Sequence, residues 1–351
     1  MKKLFAACAA GLAALCLTAC ASNSSSFAAT YFLRDPSIRD ITEVNESLSY
    51  RVYSFSGTDE LNGYEKLLPA LTSGTEKLKF SVSDGSKYVT SITTLADKSG
   101  YEFNSTLTIN GVYTFGNDET YEVVNDVTTL KVVFKGINDK FVPVSVEKYM
   151  KNTFPTSAVP TGASQFVTTG CTYKIEYGKN AVITVTPDDD ETSVNYYKSL
   201  SEKDVTVKKY NKKDFVDNDL LFTAFRNFDY ASGFTFSFST IDALSGSLTS
   251  ASATVIGESG KSPVKLVTAD KKTQLSTVAY NACGVKFSTT GEYGKPYAYC
   301  YYALSKNGSG EVSEDKDKEN STRRVPLIIA QPLIHNTGYL VMALNTTNFG
   351  L

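Results

Sequence analysis

Histidine and tryptophan are the scarcest residues in this sequence: there is one histidine, His335, and no tryptophan in 351 residues. Any catalytic triad or cysteine–histidine pair would have to use His335, which lies in the turn-like segment AQPLIHNTG. A lone histidine beside a turn is more often a hydrogen-bonded structural residue than a catalyst. No Gly-x-Ser-x-Gly motif marks a hydrolase nucleophile either. The sequence therefore favours a protein that is not an enzyme.

Metal-binding and nucleic-acid-binding patterns are missing as well. No histidine and cysteine cluster has ligand spacing, and no glycine-rich phosphate loop occurs. The densest acidic stretch, residues 187–191, lacks the glycine-containing loop of an EF-hand and is interpreted as a solvated hairpin end. With 21% charged residues and a formal net charge of −2, no strong field favours nucleic acid. We expect no cofactor, no metal and no nucleic-acid partner.

Long apolar runs are absent except at the N-terminus, MKKLFAACAAGLAALCLTAC. Two lysines precede a short apolar stretch, Leu4 to Leu17, and small residues then lead to Cys20. This is the layout of a secretory signal, and the stretch is shorter than the ~20 residues of a membrane-spanning helix. The segment LTAC, which ends in Cys20, resembles the lipobox of bacterial lipoproteins.

The lipobox resemblance implies a lipid anchor on Cys20. Residues 1–19 would be a signal peptide, and the Cys20 thiolate would accept a diacylglycerol group before further acylation with palmitate-type chains. Residues 20–30 would then form a lipidated, serine-rich tether between the membrane and the folded body. The expected location is the bacterial cell envelope, anchored to a membrane and facing the periplasm or the exterior. An ordinary cleaved signal peptide and a buried terminal helix are the alternatives.

The rest of the chain is typical of a β protein. It has 22 tyrosines and 20 phenylalanines with abundant threonine, serine and valine, which suit strands. Alternating apolar and polar residues predict strands at 47–55, 77–85, 101–115, 128–136, 171–178, 181–187 and 233–241. Residues 63–74 are predicted to form a short helical turn. The expected fold is mostly β, with one or two antiparallel curved-sheet or barrel-like units and a few short helices.

A proline- and glycine-containing segment, FPTSAVPTGAS at residues 154–164, predicts a domain boundary. It would separate an N-terminal β domain, 31–155, from a C-terminal β domain, 165–351. Each half contains a short apolar helix, a glycine break and an alternating strand. This similarity between the two halves is compatible with a tandem repeat of related β domains and with a single continuous β domain.

The clearest predicted helix lies near residues 216–229, with Asp217 as its N-cap, and an alternating strand follows it. Six phenylalanines stand on these two elements: Phe222, Phe225 and Phe228 on the helix, and Phe234, Phe236 and Phe238 on the strand. Such a cluster is either ordinary core or the lining of a cavity for an apolar ligand.

The order of helix, strand, further strands and a final YLVMAL strand, over residues 205–347, resembles curved-sheet domains related to bacterial lipoprotein carriers. The resemblance implies an open sheet with helices on its hollow face, where some of these domains bind lipid. It favours a non-enzymatic envelope lipoprotein that holds or passes on an apolar or lipid ligand. A structural or adhesive surface lipoprotein with an envelope protein partner is the alternative, and an envelope hydrolase is the third.

Three cysteines follow Cys20 in the chain: Cys171, Cys283 and Cys300. A hairpin closing around TGEY would place Cys283 opposite Cys300, at a separation that a disulfide tolerates. The alternative is that both are buried free thiols. Cys171 is expected to remain unpaired and packed.

Overall fold

The computed structural model describes residues 45–55, 78–137, 140–210, 214–227, 235–262, 280–289, 296–303 and 325–349. These residues form one antiparallel sheet of 15 strands with two short α-helices. The mostly β class predicted from composition and alternation is therefore confirmed. Within the described ranges, no helix has the length and apolar character needed to cross a membrane.

The first nine strands run from the N-terminal part of the described chain into its middle. They are β1 Asn45–Phe55, β2 Leu78–Val82, β3 Lys87–Thr94, β4 Tyr101–Phe115, β5 Glu119–Ile137, β6 Lys140–Pro155, β7 Phe166–Tyr177, β8 Ala181–Pro187 and β9 Val205–Val207. The other six are β10 Thr235–Asp242, β11 Ser247–Ser262, β12 Tyr280–Thr289, β13 Pro296–Ala303, β14 Pro326–Pro332 and β15 Tyr339–Phe349.

Helical segments are short. The two α-helices are α1 Glu191–Ser201 and α2 Leu221–Ala224, and α2 is flanked by 3-10 turns at Asn218–Leu220 and Phe225–Asn227. We call the whole of residues 218–227 the 218–227 turn. Two further 3-10 turns lie at Ala163–Gln165 and Ile334–Asn336.

The strand order is a meander that starts at β10 and passes through β15 to β1. It reads β10-β11-β12-β13-β14-β15-β1-β3-β4-β5-β6-β7-β8-β9, and β2 pairs with β4 outside this path. The last strand therefore lies beside the first, as in the pair Val52 and Met342. The end strands β9 and β10 are not hydrogen-bonded to each other in the described part of the chain, so the sheet is not closed into a barrel.

The alternation that predicted the strands also determines which face is buried. In β1, Leu48, Tyr50 and Val52 are buried while their neighbours are more exposed. Successive strand side chains point to opposite faces, so one face of the sheet can cover a core. The predicted boundary at 154–164 falls in the connection between β6 and β7, which pair along their length, and the sheet is continuous across it.

The 218–227 turn packs between two hydrophobic clusters of this core. Leu220 belongs to the cluster formed mainly by β5 to β8, whereas Leu221, Ala224 and Phe225 belong to the cluster formed by β1 and β10 to β15. The turn begins where the sequence predicts, because the Asp217 carboxylate accepts a hydrogen bond from the Asp219 amide. Only Leu221–Ala224 within this turn is regular α-helix, whereas the sequence predicts a helix near residues 216–229.

Candidate functional site

A pocket of about 260 Å³ lies where β6 and β7 meet β10 to β13. β10 and β6 are far apart in the sheet order, so the pocket exists because the sheet curves and brings distant strands together. Its volume is just below the ~300–1,000 Å³ of pockets for drug-sized ligands. It therefore has room for a small molecule and not for a lipid with two acyl chains.

One wall of the pocket carries the Lys148 ammonium group and the Tyr173 ring. Lys148 Nζ lies 2.8 Å from Asp219 Oδ1, and the Tyr173 hydroxyl donates to Asp219 Oδ2 at 2.5 Å. The ammonium also lies 5.7 Å from the centre of the Tyr173 ring, within range of a cation–π contact. Asp219 thus holds both side chains in place at the pocket wall.

Asp217 stands behind this wall and is buried, with 4% of its surface exposed. One carboxylate oxygen accepts from the Asp219 amide at 2.8 Å, and the other accepts from the Tyr177 hydroxyl. Burial, helped by the nearby Asp219 carboxylate, raises the pKa of Asp217 to about 7. The Asp217 carboxyl therefore holds its proton up to a higher pH than an exposed aspartate does.

Another part of the pocket lining is apolar. Ile241, Ala243 and Leu244 lie at the end of β10 and in the turn after it, and Met150 and Ala251 come from β6 and β11. Ile241 and Ala243 are 3% and 7% exposed, respectively. A ligand with an apolar portion would bury that portion against these side chains, which contributes roughly 25 cal/mol for each Å² removed from water.

Two residues that line the pocket have hydroxyls without a hydrogen-bond partner in the described part of the chain. They are Thr240 on β10 and Tyr297 on β13, and both hydroxyl oxygens are buried. Burial raises the pKa of Tyr297, so its phenol stays protonated and neutral. Buried polar groups normally find a partner, and each exception needs an explanation.

The predicted phenylalanine cluster lies beside this pocket and is packed. Phe225 is fully buried, and its ring centre lies 5.0 Å from that of Phe287, 5.4 Å from that of Phe238 and 6.2 Å from that of Phe236. These are distances of aromatic pairs in direct contact. Of the four predicted phenylalanines that the structure describes, Phe222, Phe225, Phe236 and Phe238, none lines the larger pocket. Phe222 borders a cavity of about 20 Å³, and Phe228 and Phe234 lie outside the described residues.

The small cavity beside Phe222 is bordered by a buried ion pair, Glu46 and Arg226. Arg226 Nη1 donates to Glu46 Oε1 at 2.7 Å, and Arg226 Nη2 donates to Glu46 Oε2 at 2.9 Å. The Glu46 and Arg226 side chains are 2% and 1% exposed, respectively. The cavity volume is close to that of one water molecule, so it offers no ligand site. Sequence reasoning missed this pair because 180 residues separate its members.

The cysteines require a correction. In the β12–β13 pair, Cys283 lies opposite Tyr302 and Cys300 lies opposite Val285, so the expected register is wrong by two positions. An offset of two residues moves the partner by roughly 7 Å along the strand, too far for a disulfide. Cys300 is a buried free thiol, and Cys171 is also free and buried, as predicted for Cys171. Cys20 lies outside the described residues.

The acidic stretch at 187–191 was wrongly interpreted as a hairpin end. Asp190 is the N-cap of α1: its carboxylate accepts from the Ser193 amide at 2.8 Å and from the Ser193 hydroxyl at 2.6 Å. An aspartate N-cap followed by an acidic residue in the first turn, here Glu191, is a helix-start signal that sequence reasoning passed over. No group of three or more potential metal ligands occurs among the residues that the structure describes.

His335 occupies the Ile334–Asn336 turn with a left-handed φ of 56°. Its Nε2 lies 3.3 Å from the Pro155 carbonyl oxygen. The histidine therefore connects the end of β6 to this turn and does not line the pocket.

Comparison with known proteins adds no family to these observations. No family model, no curated protein and no solved structure matches the chain.

Proposed function

We propose that this protein is an exported bacterial lipoprotein that is held at a membrane by acyl chains on Cys20 and binds a small, partly apolar ligand. Its role is binding or carriage in the cell envelope and not catalysis. The single observation that carries the ligand proposal is the 260 Å³ pocket, which has both apolar and polar side chains in its lining. The LTAC segment carries the anchor proposal.

The anchor follows from the energetics of acyl chains. Each buried methylene contributes ~0.8 kcal/mol, and one chain alone gives only marginal, reversible binding. The two or three chains of a mature lipoprotein hold a protein far more firmly. Cys20→Ser should abolish fatty-acid labelling and release the protein from membranes, with Cys16→Ser as the matched control. Labelling retained in Cys20→Ser would overturn the anchor.

The ligand is expected in the pocket beside the packed phenylalanines. The phenylalanines stabilise the sheet around it, while Ile241, Ala243 and Leu244 supply the apolar contact surface. The volume fits one short chain or one small ring system with a polar end. A ligand of this size is compatible with transfer between a membrane and a soluble compartment.

The test is to purify the protein from its own membranes and identify small molecules that it releases on denaturation, by mass spectrometry. Ala243→Phe fills the pocket and should remove the released compound. Val194→Phe, on the exposed side of α1 where Val194 is 43% exposed, is the control and should retain it. A compound retained by Ala243→Phe, or absent from the unaltered protein, would contradict the proposal.

A second candidate is an adhesive or structural lipoprotein with an envelope protein partner. One observation favours it: Val194 and Tyr196 on α1 are 43% and 56% exposed, and the Tyr196 ring packs edge-on against Phe154. Surface cross-linking in intact cells tests this candidate. A partner that disappears with Tyr196→Ser would support it, whereas cross-linking that is insensitive to this change would speak against the α1 surface.

A further inference from the structure

The pocket lining contains one basic and one acidic side chain among the residues that the structure describes. They are Lys148 on β6 and Asp242 at the end of β10. The other described lining residues are uncharged. A ligand in this pocket therefore meets one positive and one negative group.

The Lys148 ammonium group has hydrogen-bonding capacity left for a ligand. It carries three donors, and Asp219 Oδ1 accepts from one of them at 2.8 Å. The Tyr173 ring, 5.7 Å away, is its other contact in the described part of the chain. The Lys148 side chain is 21% exposed, so a molecule in the pocket can reach it. Asp219 and Tyr173 thus hold an ammonium group whose remaining donors can bind a carboxylate.

The Asp242 carboxylate also has an oxygen available to a ligand. Its Oδ1 accepts from the Leu244 and Ser245 amides at 3.1 Å and 3.3 Å, and its Oδ2 has no hydrogen bond within the described ranges. Asp242 is exposed. The two amides therefore orient the carboxylate and leave Oδ2 free to accept from a ligand donor.

The strand registers place both charged side chains on faces that border the pocket. On β6, Met150 follows Lys148 by two residues, so the two side chains point to the same face. In the β10–β11 hairpin, Phe238 pairs with Ala251, and Asp242 follows Phe238 by four residues, so Asp242 and Ala251 also share a face. Met150 and Ala251 line the pocket as well. Each charged group therefore lies on the same side of its strand as an apolar lining residue.

We propose that the ligand of this pocket is a zwitterionic α-amino acid with an apolar side chain. Its carboxylate binds the free donors of Lys148, and its ammonium group binds Asp242 Oδ2. Its side chain lies against the apolar part of the lining, which includes Met150. This inference rests on the proposed function and names the chemical class of the ligand.

A ligand with a single charge fits the pocket less well for a physical reason. Taking a charge out of water is costly unless that charge gains an opposite partner and hydrogen bonds. A simple carboxylate gains Lys148 but is repelled by Asp242, and the neighbouring Asp219 adds to that repulsion. A simple alkylammonium gains Asp242 but is repelled by Lys148. An amino acid gives both lining charges an opposite partner and brings no net charge into the pocket.

The experiment compares three probes with the same branched apolar chain at neutral pH. They are L-leucine, 4-methylpentanoate, which lacks the ammonium group, and 3-methylbutylamine, which lacks the carboxylate. Binding to the purified full-length Cys20→Ser chain is measured by calorimetry, so that no attached acyl chain competes for the pocket. We expect L-leucine to bind at least about tenfold more tightly than either analogue, which is what one hydrogen bond to a charged group is worth.

Two substitutions assign the two charges of the ligand. Asp242→Asn keeps an oxygen for the Leu244 and Ser245 amides and removes the negative charge, so L-leucine should lose its advantage over 4-methylpentanoate. Lys148→Met keeps the apolar stem and removes the ammonium group, so L-leucine should lose its advantage over 3-methylbutylamine. Each substitution should also lower the affinity for L-leucine about tenfold. If Lys148→Met does not fold because Asp219 loses its cation, the Asp242→Asn comparison decides alone.

Matched controls change the same residue types outside the pocket. The Asp97 carboxylate accepts from the Ser99 amide at 3.0 Å in an exposed turn, and Lys174 pairs with Glu147 at the surface. Neither Asp97 nor Lys174 lines the pocket. Asp97→Asn and Lys174→Met should leave the affinities for all three probes unchanged. Losses in these controls that equal those of the pocket substitutions would overturn the assignment of Lys148 and Asp242.

The possible outcomes separate this inference from the proposed function. A preference for L-leucine that each pocket substitution removes supports the zwitterionic ligand. Equal or tighter binding of either analogue, or no binding of L-leucine, overturns it. The pocket remains a ligand site in that case if Ala243→Phe removes the compound that the purified protein releases. If Ala243→Phe changes neither that compound nor the affinity for any probe, the pocket and the proposed function both fail.

Discussion

Glu46 and Arg226 form a fully buried ion pair that joins β1 to the 218–227 turn. Two hydrogen bonds, of 2.7 Å and 2.9 Å, connect the carboxylate to the guanidinium. The pair sets the position of the turn against the sheet, because the planar guanidinium accepts a carboxylate in one geometry. The 218–227 turn also places Asn218 in the lining of the pocket. The Glu46–Arg226 contact therefore stabilises the fold and also positions the turn that contributes Asn218 to the pocket.

Removing the charge of one partner of the Glu46–Arg226 pair should destabilise the folded protein. Glu46→Gln removes the carboxylate charge that neutralises the buried Arg226 guanidinium, and we expect the free energy of unfolding to fall by about 3–5 kcal/mol. Urea denaturation monitored by tyrosine fluorescence measures the loss. Glu46→Leu combined with Arg226→Met should recover most of it, because the apolar pair leaves no buried charge.

An exposed ion pair supplies the control for that prediction. Lys174 Nζ lies 3.3 Å from Glu147 Oε1, and each of the two side chains is 54% exposed. Glu147→Gln should change stability by less than about 0.5 kcal/mol. Equal losses in Glu46→Gln and Glu147→Gln would contradict the assignment of Glu46 as a buried structural partner.

The protonation of Asp217 should make stability depend on pH. Its pKa is raised to about 7 in the folded protein, chiefly by burial and then by the Asp219 carboxylate. The folded state therefore holds a proton that the unfolded chain releases near pH 4. The contribution of this group to stability is greatest below about pH 4, falls as the pH rises to about 7, and is constant above that.

Asp217→Asn tests this dependence and keeps a side chain that can cap the 218–227 turn. Each unit of pKa shift corresponds to ~1.4 kcal/mol. Between pH 5 and pH 8, the unaltered protein should lose about 1.4 kcal/mol or more of stability relative to Asp217→Asn. Parallel pH–stability curves for the two proteins would show that Asp217 is ionised in the folded state throughout this range.

Phe225 should act on stability and not on ligand contact. It is fully buried among Phe236, Phe238 and Phe287 and does not line the pocket. Phe225→Ala should lower the free energy of unfolding by about 3–5 kcal/mol, because it removes a large side chain from the core. The folded variant should still release the bound small molecule on denaturation, as detected by mass spectrometry. Loss of the released compound at unchanged stability would instead place the ligand among the phenylalanines.

The two buried thiols should resist alkylation. Burial raises the pKa of Cys300 and of Cys171, and only the thiolate reacts readily. Iodoacetamide should label neither residue in the folded protein and both in denaturant, as read by peptide mass spectrometry. Val194→Cys, at an exposed position of α1, is the control and should react at once. Rapid labelling of Cys300 under native conditions would contradict its burial.

Strand positions were largely predictable because they depend on local alternation. The segments 101–115 and 181–187 predicted as strands match β4 and β8 in both bounds. Turn length was harder to predict. At the cysteines, the β12–β13 register differs by two positions from the expected one. One position arises next to the turn, where Ser288 and not Phe287 lies opposite Pro296, and the other arises at a register shift between Phe287 and Ser288. A register is set by the turn and by the cross-strand packing, and a small error in the turn shifts every pair.

Helix α1 was missed for a different reason. Its sequence, ETSVNYYKSLS, has a weakly apolar face, with only Ser193 and Tyr197 buried, so periodicity gave little signal. The cap at Asp190 was present in the sequence but was interpreted as part of a charged turn. For this helix, the N-cap residue is therefore a stronger signal in the sequence than hydrophobic periodicity is.

The pocket could not be predicted from sequence because it depends on the curvature of the sheet. Lys148 on β6, Thr240 on β10 and Tyr297 on β13 come together only when distant strands approach. The acidic partner Asp219 is 71 residues from Lys148 in the chain. The phenylalanine cluster could be predicted from the sequence. Its position beside the pocket, and not around it, depends on how the strands and the 218–227 turn pack.

The most direct test of the account is an experimental structure of the protein purified from its own membranes. We predict one bound organic molecule in the pocket, with its apolar part against Ile241 and Ala243. A pocket that contains only water, or one closed by its own side chains, would contradict the account.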